Sequence, residues 1–377
     1  MRVLVINWQD WTHPRAGGAE QHLKEVFGRL ARLGHPVDLL CAAYPGAASE
    51  ERLEDITVIR RGRRYELFNA TVPGIYRRVL HRNRYDVIVD DLNKVPFFSP
   101  LFTHRPVVAL VHHLFGRTVF EETNPLFGSY VWLSELPVAS VYRRSPFIAV
   151  SQSTADDLVA RGVSEERIAV IPNGLPEAPY EGATYEEVVA RPKSAKPLFV
   201  FLSRLKRYKR VELILDGFAR LLEDHPRSQL VIAGDGDHRE ALERRAVELE
   251  LGKRVRFPGW IADQRKWQLL RRAWALCYTS PKEGWGISSL EAQRVGTIAI
   301  VSDAPGLRDT VVDGETGEVV PHGDPAALAA AMARAIDHPE ERERREAAAI
   351  RRAQKFSWDA AAEKTLGVLR RAARQAP

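Results

Sequence analysis

Two carboxylates eight positions apart, Glu283 and Glu291, bracket the segment E-G-W-G-I-S-S-L-E. Two glycines, an aromatic and two serines lie between them, and A-Q-R-V-G-T-I-A-I-V-S follows. The pattern predicts a glycine loop entering a helix, then a turn and a buried strand. The first N–H groups of such a helix lack partners and point outward, which suits a diphosphate. Gly284 and Gly286 allow close backbone approach. Glu291 falls about two turns in, on the face of Ser288. Like charges repel, so a carboxylate there is unsuited to phosphate and suited to the hydroxyls of a ribose. Glu283, in the loop, could accept from a sugar. Read alone, the same residues also fit two helix-capping carboxylates with glycines for turn geometry.

The elements that must position these residues are short apolar strands. A run at 199–202 leads into S-R-L-K-R-Y-K-R, which places Arg204 and Lys209 at its carboxyl edge. A run at 230–233 leads into Gly234-Asp235-Gly236, and one at 275–278 leads into Glu283. Two cations, bare backbone and a helix start at one sheet edge make a diphosphate pocket. Each cation alone would read as solvated surface.

The first half repeats the logic. An apolar run at 2–7, a loop holding Gly17 and Gly18, a helical pattern over 20–33 and a strand at 37–41 form a βαβ unit. The glycines do not make G-x-G-x-x-G and no acid closes the second strand, which disfavours a nicotinamide site. Further strands are expected at 56–60, 85–90, 106–111, 147–151 and 168–172. The fifth-strand run ends in His112-His113, where open α/β sheets bind ligands. Residues 114–137 carry Phe115, Phe120, Phe127, Tyr130 and Trp132, either an acceptor or lipid surface or a packed helix. Arg60, Arg61, Arg63 and Arg64, then Arg77, Arg78, Arg82 and Arg84, form basic clusters. Such clusters commonly make solvated faces; the alternative is attachment to anionic lipid. Residues 174–197 are proline-rich and aperiodic, a linker. The expected division is a domain at 1–173, the linker, and a second α/β domain at 198–356.

Bulk properties agree. The 377 residues suggest two domains, and the net charge of +6 fits an anionic small ligand without demanding nucleic acid. Two cysteines, Cys41 and Cys277, sit in apolar runs as reduced core residues of a cytoplasmic protein. A strand starting at Arg2 leaves no room for a cleavable leader, and no run could span a membrane. Asp90-Asp91 is the nearest look-alike of a D-x-D metal motif, in the wrong half, so no metal or other cofactor is expected.

The ordered set E-x7-E, S-R-L-x3-K, G-D-G, G-G-A-E, V-H-H and V-I-P-N-G resembles the retaining glycosyltransferases of family 4. The resemblance spans nearly the whole chain. It implies the GT-B fold, two Rossmann-like doubly wound domains facing across a cleft, with a final helix at 357–377 crossing back. By resemblance Glu283 would bind the donor sugar, Glu291 the ribose, and Arg204 and Lys209 the diphosphate. Backbone at Gly286, Ile287 and Ser288 would meet donor hydroxyls and phosphate; Gly234 belongs to the same donor set. Gly17 and Gly18 would approach the phosphate, and His112 the transferred sugar. Trp285 stands where the family usually has Phe, and Trp8, Trp11 and His13 lengthen the first loop.

The implied activity moves a hexose from a UDP- or GDP-linked donor to a hydroxyl of a sugar, lipid-linked or polysaccharide acceptor, with retention. A peripheral position at an anionic inner membrane face is the accompanying expectation. No glycosidase-like carboxylate pair is evident, so no covalent glycosyl-enzyme is expected. The rivals are a nucleotide-sugar 2-epimerase of the same fold and a non-catalytic nucleotide-sugar-binding protein.

Overall fold

Short runs of Val, Ile, Leu and Phe, buried on both faces, are what a parallel sheet covered by helices requires. The computed structural model describes residues 1–62, 68–80, 85–176 and 185–374, and it contains two such sheets. The chain divides into one unit of Met1–Gly174 with Ser357–Pro377, and a second of Leu175–Phe356.

The first unit holds β1 (Val3–Ile6), β2 (Val37–Ala42), β3 (Glu50–Leu53), β4 (Ile56–Arg61), β5 (Val87–Asp91), β6 (Val107–Val111), β7 (Phe147–Ala149) and β8 (Ile168–Val170). Their order is β3-β4-β2-β1-β5-β6-β7-β8. Among the described residues only β3 runs antiparallel, paired to β4. Its sequence E-E-R-L alternates exposed and half-buried positions, an edge strand that the apolar-run criterion passes over. The second unit holds β9 (Leu198–Leu202), β10 (Gln229–Ala233), β11 (Val255–Gly259), β12 (Ala275–Tyr278), β13 (Ile298–Ser302) and β14 (Gly317–Val320). All are parallel, in the order β11-β10-β9-β12-β13-β14.

Each sheet is wound in both directions from its first strand. The reversal falls between β1 and β5 in one unit and between β9 and β12 in the other. Loops leaving two such strands diverge and open a crevice at the carboxyl edge.

The final helix, Trp358–Arg374, belongs to the first unit. It packs on the Gly18–Arg32 helix, with Arg29 Nε donating to Asp359 at 2.6 Å. Ser357 caps it, its hydroxyl accepting from Ala360 N–H. Between the sheets, residues 177–184 of the expected linker lie outside the described residues. Within that stretch Tyr185–Ala190 is helical. Lys193 donates to the carbonyls of Ala273 and Gly296, at 2.8 and 2.6 Å, and so fastens the stretch to the second unit.

One expectation about charge is corrected. Arg60, grouped at the sequence level with a surface cluster, is fully buried and pairs with Asp10 at 2.7 Å and with Glu51. Asp10 also accepts from Thr12 N–H. The pair therefore pins the long first loop onto the sheet, and burying either charge alone would be too costly. Arg61 pairs with Glu50; Arg63, Arg64, Arg82 and Arg84 lie outside the described residues.

Candidate active site

In the second unit the loops after β9 and β12 leave at the reversal point, and they are locked together. A short turn, Arg207–Lys209, ends on Arg210 in a left-handed conformation. Thr279, just past β12, donates to the carbonyl of Arg210 at 2.9 Å and fixes that turn. Lys209 is thereby turned inward. Its ammonium donates to Glu283 Oε1 at 2.5 Å and to Tyr278 OH at 2.9 Å, and Tyr278 donates onward to Ser203. Burial works against the charge on Lys209, but the Glu283 carboxylate and the Tyr278 and Tyr208 side chains outweigh it, holding its pKa well above the ordinary value. Two of the three ammonium protons are used by these contacts. Arg204, on the same loop, is exposed.

Gly234 and Gly236 support this arrangement from β10. A side chain at Gly234, whose φ is +132°, would start 1.8 Å from the Ser203 carbonyl oxygen; one at Gly236 would start 2.2 Å from that of Leu205. These glycines let the two loops cross, with Leu205 N–H bonded to the Asp235 carbonyl.

The Ile287–Arg294 helix begins after Gly286, and no side chain caps it. Among the described residues the N–H of Ser288 has no backbone acceptor, while that of Ile287 bonds to the Trp285 carbonyl. The loop after β13 buttresses this start. Glu283 N–H donates to the Pro305 carbonyl at 2.9 Å. Gly306, with φ of +78°, packs so closely that a Cβ would stand 2.0 Å from the Glu283 carbonyl oxygen. A Cβ on Gly286 would meet Leu307 and Thr310 at 3.0 and 3.3 Å. Trp285 stacks edge-on against Phe356, with ring centroids 5.5 Å apart.

Glu291 is buried, and its Oε1 accepts from Lys266 Nζ at 2.8 Å. Burial pushes its pKa up and Lys266 pulls it back. Lys266, Gly306 and Thr310 escaped the sequence reading. Only the P-G pair at 305–306 signalled a tight turn there; nothing local marked Lys266.

In the first unit Gly17 caps the Gly18–Arg32 helix, and the Glu20 carboxylate accepts from its N–H at 2.7 Å. Asn93 ties this corner to Asn7, donating at 2.9 Å. His112 is buried past the end of β6, its Nε2 3.3 Å from Asp91 Oδ1 without the alignment of a hydrogen bond. The His22 ring lies 5.2 Å from that of His112, and its Nδ1 is 2.7 Å from Asn173 Oδ1. Burial and the neighbouring His112 push the His22 pKa down to about 3, against the Asn173 contact. Asp91, which reads in sequence as part of a metal look-alike, instead faces a histidine. Among the described residues no group of three metal-ligating side chains occurs.

The structure thus brings Lys209 and Glu283 into direct contact, and sets Arg204, Gly234, Gly286, Ile287 and Ser288 on loops or a helix start at one edge of one sheet. Gly17, Gly18 and His112 stand at the corresponding edge of the other sheet. The geometry provides a fixed cation, an exposed guanidinium and a free backbone donor for an anion.

Two family models cover most of the chain: one described as glycosyltransferase family 4 over residues 16–178, the other as glycosyl transferases group 1 over residues 186–352. A glycogen synthase of Mycobacterium tuberculosis is 32% identical over 98% of this chain and 94% of its own. Among solved structures, a sucrose-phosphate synthase from Thermosynechococcus elongatus aligns with a TM-score of 0.80 at 22% identity, covering 98% of each chain. Anabaena HepE, solved in complex with UDP-glucose, aligns with a TM-score of 0.71 at 19% identity, covering 98% of this chain and 99% of that one. The two doubly wound sheets are those of the GT-B class, and the chain belongs to the family 4, group 1 glycosyltransferases.

Proposed function

We propose that this glycosyltransferase moves a hexosyl group from a nucleoside diphosphate sugar to a hydroxyl acceptor, retaining the anomeric configuration. One observation carries the reading: on the loops after the paired strands β9 and β12, Lys209 is held charged against Glu283 and Tyr278, and the helix that follows Glu283 starts without a side-chain cap. In the reaction the bond from the anomeric carbon to the phosphate oxygen breaks, and positive charge spreads over the sugar ring. Negative charge gathers on the departing diphosphate, where Arg204, Lys209 and the Ser288 N–H stabilise it more strongly than in the ground state. The acceptor oxygen bonds to the same face of the anomeric carbon, and its proton passes to the leaving phosphate. Glu283 accepts from donor hydroxyls through the carboxylate oxygen that Lys209 leaves open, and Glu291 accepts from the ribose. The cations supply the charge, so no metal is assigned. That HepE was solved with UDP-glucose favours UDP among the donor nucleotides.

The acceptor side favours a lipid-linked or polysaccharide substrate handled at an anionic membrane. The Pro125–Glu135 helix exposes Leu126, Phe127, Tyr130 and Leu133, while its one charged residue, Glu135, is buried and accepts from Phe115 and Gly116 N–H. Asn69 donates to Tyr130 OH at 2.6 Å, which joins this helix to the segment carrying exposed Arg77 and Arg78. An apolar stripe beside arginines suits the interface of an acidic bilayer. Among the described residues no helix is long and apolar enough to cross a membrane.

Incubation with UDP-, ADP- and GDP-linked hexoses, followed by proton NMR of the anomeric signal, tests the proposal. Slow donor hydrolysis with release of the α-anomer from an α-linked donor is expected. A changed sugar would indicate the epimerase, and untouched donors throughout would reduce the protein to a binder.

A further inference from the structure

The pairing of Glu291 with Lys266 has a chemical purpose that goes beyond holding two helices together. Glu291 lies in the Ile287–Arg294 helix, only 6% exposed. Lys266 comes from the separate Asp263–Arg272 helix and reaches it across 25 residues of sequence. Lys266 Nζ is also 3.2 Å from Asp263 Oδ1 and lies over the Trp267 ring at 4.9 Å, so its position is held from three sides. An ionised carboxylate is acceptor-only through both oxygens, whereas a protonated one turns one of them into a donor. A buried carboxyl without a cation would take up a proton. The lysine engages one oxygen, Oε1, which turns the carboxylate and leaves the other oxygen for an incoming hydroxyl.

We propose that Lys266 is a positioning residue for nucleotide recognition, holding Glu291 ionised and aiming its open oxygen at the ribose diol. The inference rests on the reading of Glu291 as the ribose acceptor. It predicts that the effect of Lys266 passes through ribose hydroxyls and through nothing else.

The test compares calorimetric affinities for UDP, ADP and GDP with those for their 2′,3′-dideoxy forms, in the wild type, Lys266→Met and Lys266→Arg. In the wild type, losing the diol should weaken the preferred nucleotide about tenfold to 100-fold, the range for hydrogen bonds to a charged group. Lys266→Met should weaken the hydroxyl-bearing nucleotide by about tenfold and leave the dideoxy form within about twofold. Its affinity should recover as pH rises and Glu291 ionises without help, and Lys266→Arg should keep most of the wild-type affinity. Equal weakening of both forms by Lys266→Met, or no recovery with pH, would overturn the role assigned to Lys266. Wild-type indifference to the hydroxyls would instead remove the ribose role of Glu291, and the inference with it. Circular dichroism melts of both variants confirm that the affinities belong to folded protein.

Discussion

Lys209 is 4% exposed yet charged, because Glu283 and Tyr278 meet it with an acceptor each. Breaking a buried pair from one side costs about 3–5 kcal/mol, much of it for the charge left behind. Lys209→Met alone should therefore lower both the melting temperature and turnover. Lys209→Met combined with Glu283→Gln removes both charges, and the melting temperature should return most of the way. Turnover should stay down by about 100-fold or more, because the stabilisation of the leaving diphosphate is not restored. Thermal melts beside kcat for the two variants decide the matter. Recovery of activity together with stability would show the pair to be scaffolding.

At the scale of elements, the site depends on loops that need glycine. Gly306 bears on Glu283 from the loop after β13, whereas Gly314 has a similar φ of +72° and open space around it. Gly314→Ala should cost about 1 kcal/mol of backbone strain and leave kcat unchanged. Gly306→Ala adds a collision with the Glu283 carbonyl, so the loop must move. A shift near 1 Å at a reacting group lowers turnover about 100-fold, and that loss in a folded protein is the expected result. Equal behaviour of the two variants would mean that the β13 loop does not set the position of Glu283. Sequence reading saw the glycines at 234 and 286 as points of ligand approach. In the structure Gly234 makes room for the Ser203 carbonyl, and Gly286 for Leu307 and Thr310. A one-dimensional pattern shows that a side chain is excluded but does not show by what.

For the molecule as a whole, the exposed leucines of the Pro125–Glu135 helix should confer binding to acidic vesicles. Sedimentation with vesicles of phosphatidylglycerol and phosphatidylcholine should pull the protein down at low salt, and pure phosphatidylcholine should do so far less. Leu126→Glu with Leu133→Glu should abolish the effect. Arg77→Ser with Arg78→Ser should weaken it by more than tenfold, each arginine contributing about 1 kcal/mol at such a surface. Equal binding to neutral vesicles would count against the charge argument. A dimer lost in the leucine variants would show that a second copy covers the stripe.

What the sequence determined by itself is the set of elements and their edges. Burial on both faces demands unbroken apolar runs, and those at 2–7, 85–90, 199–202 and 298–301 could be little but parallel strands, which the structure places at 3–6, 87–91, 198–202 and 298–302. Because ligands collect where such strands end, Arg204, Lys209, Glu283 and His112 stood out from their places in the chain. Tertiary structure alone decided who partners whom. Arg60 reads as surface charge until Asp10, 50 residues earlier, is found against it. Lys266 is one charge among several in D-Q-R-K-W-Q-L-L-R-R until Glu291 is found at its tip. The physical reason is that burial of an apolar side chain follows from local periodicity, whereas the cost of burying a charge is offset only by a specific partner. That partner is chosen by the winding of the sheet, not by neighbours in the chain.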